Sequence, residues 1–144
     1  MTRLATRYDK EQIIEMMLSF KDESPMRDLI DEENTQYWHQ LLDSILAGQG
    51  VCFIEDRIGL ILAIVLPSIW NPKILTMHEL AWWVKPENRG GLIGMRLLRD
   101  YIDYANKLKS ENRIKYFTLS KLSTSPDFKY EKLGFRKTDE NWIQ

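Results

Sequence analysis

The spacing of apolar residues along this chain changes several times, and each change marks an element. Ile13, Ile14, Met17 and Leu18 recur at the three-to-four-residue interval of an amphipathic helix. Asp9 stands just ahead with Gln12 three residues on, which reads as a capping box. The pattern fades near Lys21. Before it, "RLATR" (Arg3 to Arg7) alternates weakly and predicts a short strand. After it, "DESPMRDLIDEEN" is polar, interrupted by proline, and predicts a loop. A second helical stripe follows from about Thr35, carried by Trp38, Leu41, Leu42 and Ile45, and Gly48 suits its C-terminal cap.

The pattern then becomes strand-like. Val51 to Ile54 and Gly59 to Leu66 are β-prone runs joined by a short polar turn through Asp56, which predicts a hairpin. The second run is apolar without alternation, as expected of a strand covered on both faces. After the proline-containing loop "PSIWNPK", Ile74 to Val84 reads as another buried strand. A helix then runs to Leu108, with Gly94, Met95, Leu98, Ile102, Ala105 and Leu108 on its apolar side. Arg96, Arg99, Asp100, Asp103 and Lys107 face water. "RIKYFTLS" predicts a strand, Pro126 to Leu133 a short helix, and "GFRKTDENWIQ" a last strand or hairpin half. The order β-α-α-β-β-β-α-β-α-β implies a mixed α/β sheet with helices on both faces.

Composition narrows the classes. The 144 residues fit one domain spanning the whole chain, and a hydrophobic fraction of 44% supports a real core. Lys and Arg total 20 against 21 Asp and Glu, a net charge of -1 that gives no global attraction for nucleic acid or an acidic membrane. Cys52 is the single cysteine, so no intrachain disulfide forms, and its place in "VCFIE" suits the core better than a nucleophile. Two histidines, His39 and His78, are too few for a histidine-rich metal site, so no metal is expected. The N-terminus lacks the apolar run of a signal peptide, and "GLILAIVL" is far shorter than the roughly 20 residues of a membrane span. A cytoplasmic protein is expected.

Chemistry concentrates after the strand ending at Val84, in "KPENRGGLIG". A helix begins with N–H groups that lack internal partners and with partial positive charge from its dipole. An anion docks there when the backbone can be approached closely, which Gly90, Gly91 and Gly94 permit, and Arg89 adds a forked cationic donor. The spacing is neither the nucleotide-triphosphate loop nor G-x-G-x-x-G. By itself the window also reads as a tight strand-to-helix turn with a solvated arginine.

The turn resembles the R/Q-x-x-G-x-G/A signature of the GNAT superfamily of N-acyltransferases, with Arg89 in the first place and Gly94 in the last. Leu92 stands where the middle glycine is usual. The paired Gly90 and Gly91 resemble a form found in small phage-encoded and bacterial members. "WWVKPENRGG" is similar to the family's hydrophobic-x-V-x-P-x-x-R-G strand end, and "YEKLGF" to its C-terminal Y-x-K-x-G-F segment. The element order fits along the whole chain.

The resemblance implies a GNAT fold, with a central, mostly antiparallel mixed sheet, that takes acetyl-CoA. It places the coenzyme's pyrophosphate on Arg89, Gly90, Gly91, Leu92, Ile93, Gly94 and Met95. It places the pantetheine arm and acyl carbonyl along Trp82, Trp83 and Val84, on a strand that splays from its neighbour. Adjacent strand residues face opposite ways, so one tryptophan is expected under a helix and the other in the cleft. Ser123, with Ser125, lies where the family often has an asparagine touching pantetheine. Lys85, Arg96 and Lys129 are weaker phosphate candidates that suit a solvated face.

The same resemblance suggests Tyr130 as the proton donor to the leaving thiolate, against a structural tyrosine bonded to backbone. It suggests Glu79, or else His78, as the base that takes the amine's proton. A lone carboxylate in an apolar strand run is costly to bury, which makes Glu79 a functional candidate. Glu79 and His78 face opposite ways, so at most one enters the cleft, and some members of the family have no dedicated base.

The implied activity is transfer of acetyl from acetyl-CoA to a primary amine by direct attack in a ternary complex. The acceptor is an unidentified amine on a small molecule or protein. The acidic stretch "KDESPMRDLIDEENTQ" is either a solvated loop or a rim favouring a cationic amine, and Trp70 either a wall of the acceptor site or a plug. Two alternatives stay open: a GNAT-fold acyl-CoA-binding or regulatory module without transfer, and a phage-type enzyme modifying nucleic acid. A monomer or a homodimer is expected, with Trp142 available to an interface.

Overall fold

The structure is a computed structural model that describes residues 1–30 and 32–144; Asp31 lies outside the described residues. Five strands form one sheet: β1 (Arg3–Leu4), β2 (Gly50–Glu55), β3 (Gly59–Pro67), β4 (Leu75–Val84) and β5 (Phe117–Thr118), in that spatial order. The first four are antiparallel, and β5 is parallel to β4. A parallel neighbour needs a crossover, which α3 (Ile93–Ser110) supplies. α1 (Lys10–Glu23) and α2 (Thr35–Ser44) cover one face of the sheet and α3 the other, so the expected mixed sheet with helices on both faces is found.

Two apolar layers follow from this. Leu60 and Leu62 of β3 pack towards α1 and α2, while Ile61 and Ala63 pack towards α3. All four are fully buried, which is why this run carries no alternation. Gly48, at φ 117, ends the wide turn Ile45–Gln49 that closes α2, in a backbone region that favours glycine.

Several sequence expectations are corrected. The first strand covers Arg3–Leu4 rather than reaching Arg7. The capping box is made by Thr6 with Asp9, around the short turn Arg7–Asp9, and not by Asp9 with Gln12. Asp9 is held elsewhere: the guanidinium of Arg3 donates to both its oxygens, at 2.8 and 2.9 Å, and Gln12 Nε2 donates to Oδ1 at 3.0 Å. The first helix runs to Glu23, past Lys21. On α3 the buried side is Leu97, Leu98, Tyr101, Ala105 and Leu108, whereas Gly94, Met95 and Ile102 are half-buried at its margin. Tyr101 can be buried because its hydroxyl donates to the Thr118 carbonyl at 2.7 Å.

The C-terminal quarter departs most. The strand expected in "RIKYFTLS" narrows to Phe117–Thr118, and the helix expected from Pro126 reduces to one turn, Tyr130–Leu133. No strand forms from Gly134 onward. From Arg136 to the end every residue is exposed, Trp142 and Ile143 included, and the stretch has no alternating apolar side to place on a sheet.

Candidate active site

The site is built on an irregularity of β4. Ala63 of β3 pairs with Glu79, and the next residue back, Leu62, pairs with Ala81. Leu80 is left without a partner, which makes a β-bulge. The extra residue inverts the order of faces. Before it Met77 and Glu79 face α3; after it Trp82 and Val84 do, while Ala81 and Trp83 face α1. Glu79 and Trp82 thereby stand on one side of the sheet.

On its other edge β4 pairs with β5 only at Met77 and His78. Beyond that point the two chains separate, and a cleft of about 710 Å³ opens between β4 and the segment after β5. The edge of β4 from Glu79 to Val84 has no strand beside it there, so its outward backbone groups face the cleft.

One end of the cleft is the glycine turn. The first helical bond of α3 runs from the Arg96 N–H to the Leu92 carbonyl at 2.9 Å, so the N–H groups just before it have no carbonyl to meet. Gly90 has φ +88, a conformation that side chains rarely adopt, and a Cβ at Gly90 or Gly91 would meet nothing within 4 Å. Both border the cleft, so the bare backbone lies open to a bulky anion at the positive end of a helix. The turn fits a phosphate-bearing group. Gly94 and Met95 also line the cleft; Leu92 is exposed outside it, and Ile93 packs into the core under α3.

Arg89 is not a free cation. Its Nε donates to the Val84 carbonyl at 2.7 Å, and its Nη2 pairs with Glu23 Oε2 at 2.5 Å. The same oxygen accepts the indole N–H of Trp83 at 3.0 Å. Glu23 thus ties the end of α1 to the end of β4 and the glycine turn. Trp82, on the opposite face, donates its indole N–H to the Gly94 carbonyl at 3.1 Å and braces the first turn of α3. Both tryptophans and Val84 border the cleft, Trp82 and Trp83 from opposite sides, whereas alternation alone had sent only one there.

Glu79 lies deep in the cleft and is 8% exposed. The N–H of Ser120 donates to its Oε2 at 3.1 Å. Burial pushes its pKa up to about 7, and the Ser120 bond pulls against this. The carboxyl therefore exchanges protons near neutrality. His78 does not line the cleft: its ring is held between the hydroxyls of Thr76, at 2.8 Å, and Thr118, at 2.9 Å, and burial lowers its pKa.

Tyr130 borders the cleft from the C-terminal segment, its ring edge-on to Phe128, which lies against Trp82. Its hydroxyl donates a long bond, 3.3 Å, to the Pro126 carbonyl. Burial raises its pKa; Lys121 opposes this, and Asp127 and Glu79 add to it, so the phenol keeps its proton at neutral pH. Ser123 is exposed and outside the cleft, while Ser120 and Ser125 border it.

Other candidates fall elsewhere. Of the described basic residues only Arg89 lines the cleft; Lys73, Arg113 and Lys115 gather at a separate hollow of about 400 Å³ by the opposite end of β4. Trp70 is exposed and apart from the cleft. Cys52 is fully buried, and burial first, with Asp9 second, pushes its thiol up to about 12, as suits a core residue. Among the described residues no helix is long and apolar enough to cross a membrane.

Sequence reasoning missed Glu23, Leu80 and Ser120. Glu23 closes an ordinary polar helix end. Leu80 reads as a regular strand residue, and Ser120 contributes only its backbone N–H. None carries a local signal.

No protein-family model matches the chain, and no curated protein matches it in sequence. Solved structures do match. A "predicted acetyltransferase" of Clostridium acetobutylicum, solved with acetyl-CoA, is 20% identical with a TM-score of 0.70, covering 100% of this chain and 94% of that one. An acetyltransferase of Trypanosoma brucei is 18% identical with a TM-score of 0.68, covering 100% and 97%. A transcriptional regulator of Bacillus halodurans is 20% identical with a TM-score of 0.70, covering 100% and 97%. The sheet, the crossover helix and the splayed β4 edge thus give this chain the fold of the GNAT-type acetyltransferases.

Proposed function

We propose that the chain is an acetyl-CoA-dependent N-acetyltransferase acting on a primary amine in a ternary complex. The observation that carries this is Glu79. It is a carboxyl with a pKa near 7, set by a bulge into a cleft whose other end is an open glycine turn at a helix N-terminus. A base poised near the working pH is what amine deprotonation asks for.

Bound acetyl-CoA would supply the activated acyl group: the amine nitrogen bonds to the acyl carbon as the carbon–sulfur bond breaks and its electron pair leaves on sulfur. Gly90, Gly91 and the first turn of α3 would hold the pyrophosphate through backbone N–H groups, with Arg89 bracing the turn. The unpaired edge of β4 offers backbone donors to the developing oxyanion. Glu79 accepts the proton lost by the amine, directly or through water. Tyr130, protonated and at the same cleft, gives a proton to the departing sulfur and is reprotonated from solvent.

A second reading, binding or regulation without transfer, draws on the same fold in a protein named a transcriptional regulator. Melting temperature with CoA, acetyl-CoA and ATP, followed by thiol release in the presence of an amine, separates the two. A ligand at 100 times its Kd stabilises by about 2.7 kcal/mol. The catalytic reading expects a shift with both thiol cofactors, less with ATP, and amine-dependent thiol release. Gly91→Glu, which sets a carboxylate in open space at the turn, should abolish the shift. A shift without release supports a module that binds the coenzyme without transfer; no shift removes the transferase reading and leaves the non-catalytic one.

A further inference from the structure

We infer that the acceptor is an amine on a compact apolar body, such as an arylalkyl or branched alkyl group, seated against Phe20, Leu80 and Trp83. This rests on the transferase reading and adds the substrate class.

The cleft has two unlike walls. On the α3 side lie the glycine turn, Trp82 and Glu79, the groups assigned above to the cofactor and the proton. On the α1 side lie Phe20, Glu23, Ser24 and Trp83, with Leu80 on the bulge between. An amine that meets the acyl carbon beside Glu79 from the face opposite the cofactor must lie against this second wall.

That wall is apolar in effect. Several of its polar groups are engaged: the Ser24 hydroxyl donates to the Lys21 carbonyl at 2.8 Å and accepts from the Met26 N–H at 3.1 Å. The Trp83 indole N–H goes to Glu23, and the charge of Glu23 is offset by Arg89. Glu33, in the acidic loop that suggested a cationic acceptor, pairs with Lys21 at 2.6 Å. What remains to line this wall is Phe20, Leu80 and the little of Trp83 that its packing in the core leaves exposed. Leu80 is 41% exposed on a strand whose neighbours are buried. An apolar body that covers Leu80 gains from its burial.

Group transfer balances as above: one N–C bond forms, one C–S bond breaks, and the amine's proton passes to Glu79 while sulfur gains one from Tyr130. The substrate's body decides only whether the nitrogen is held there.

The test uses the purified full chain with two readouts. With CoA saturating, the melting temperature is recorded with phenethylamine, tryptamine, spermidine or kanamycin added. Thiol release from acetyl-CoA is then measured with the same amines. The apolar amines should raise the melting temperature beyond CoA alone and give kcat/KM at least about tenfold above the polycations, the scale of a hydrophobic subsite. Leu80→Glu, at an exposed position, should raise the KM for phenethylamine about tenfold and remove its added melting shift while CoA still stabilises. Preference for spermidine or kanamycin, or no added shift with any apolar amine while the CoA shift persists, overturns this inference alone. Loss of the CoA shift in wild type overturns the cofactor reading and this inference with it.

Discussion

Two carboxylates expose almost the same small share of their surface at opposite edges of the sheet, Glu79 lying the deeper, and their chemistry is opposite. Asp9, 6% exposed beside β1, receives both arms of Arg3, the Thr6 N–H and hydroxyl, and Gln12. These hold its pKa well below the usual carboxylate range, the Arg3 bond most of all. Glu79, 8% exposed beside β5, has one donor, the Ser120 N–H, and burial dominates. Low exposure alone therefore does not decide a carboxylate's role; how deep it lies and how many donors are brought to it do. Asp9 ties the first strand to the first helix. Glu79 is left able to move a proton.

The largest effect should come from Glu79→Gln. As a base contributes on the order of 10²- to 10⁴-fold, kcat should fall by about 10²-fold or more with little change in the KM for acetyl-CoA. An unaltered rate in steady-state assays would break the contrast, since both carboxylates would then be structural.

The pH dependence follows with opposite signs. Glu79 has its folded pKa raised from 4.5 to about 7. Its favourable contribution to folding is complete below 4.5 and is lost as pH rises through about 7, by about 3 kcal/mol at most. Asp9 has its folded pKa lowered from 3.8, so its contribution is present above that value and is lost as pH falls through the folded pKa. Denaturant midpoints against pH should show both limbs. Glu79→Gln should flatten the neutral one only, and in wild type kcat/KM should rise with pH through about 7 as Glu79 ionises.

Asp9→Asn should destabilise by about 2 kcal/mol, because the ion pair with Arg3 is lost and the new amide turns an NH2 donor towards the donors that one carboxylate oxygen had accepted. The rate at the cleft should be unchanged, which thiol release would verify. Gln12→Ala, which removes one of Asp9's donors and the acceptor for the Arg57 N–H, should cost about 1 kcal/mol. Urea titrations of the two variants would show whether Asp9's role is shared among its donors or carried by Arg3.

The glycine turn, the long helices and the central strands were legible in the sequence because each is written locally. Ile13 to Leu18 repeat at helical spacing, Gly59 to Leu66 are uniformly apolar, and Gly90 and Gly91 stand where a helix begins. Glu79 stood out because a charge inside an apolar run is costly. The last strand was misread for the same reason others were read well. "RKTDENWIQ" supplies little apolar surface, and the strand or hairpin half expected over "GFRKTDENWIQ" does not form. The end of the second helical stripe was placed by Gly48, but the capping of the first helix was missed because Arg3, six residues before Asp9 and in another element, takes that carboxylate.

By itself the sequence determined what each segment buries, since burial periodicity is a property of ten or so consecutive residues. It could not determine the bulge at Leu80. That bulge arises from the register between β4 and β3, two segments whose relative slip no local pattern records, and it puts Glu79 on the side of Trp82. Nor could it determine that Glu23 neutralises Arg89, a pairing across 66 positions. Side-chain type fixes which chemistry a residue can do. Which groups meet, and so which carboxylate is quiet and which one moves protons, is decided by contacts between segments that only the folded chain brings together.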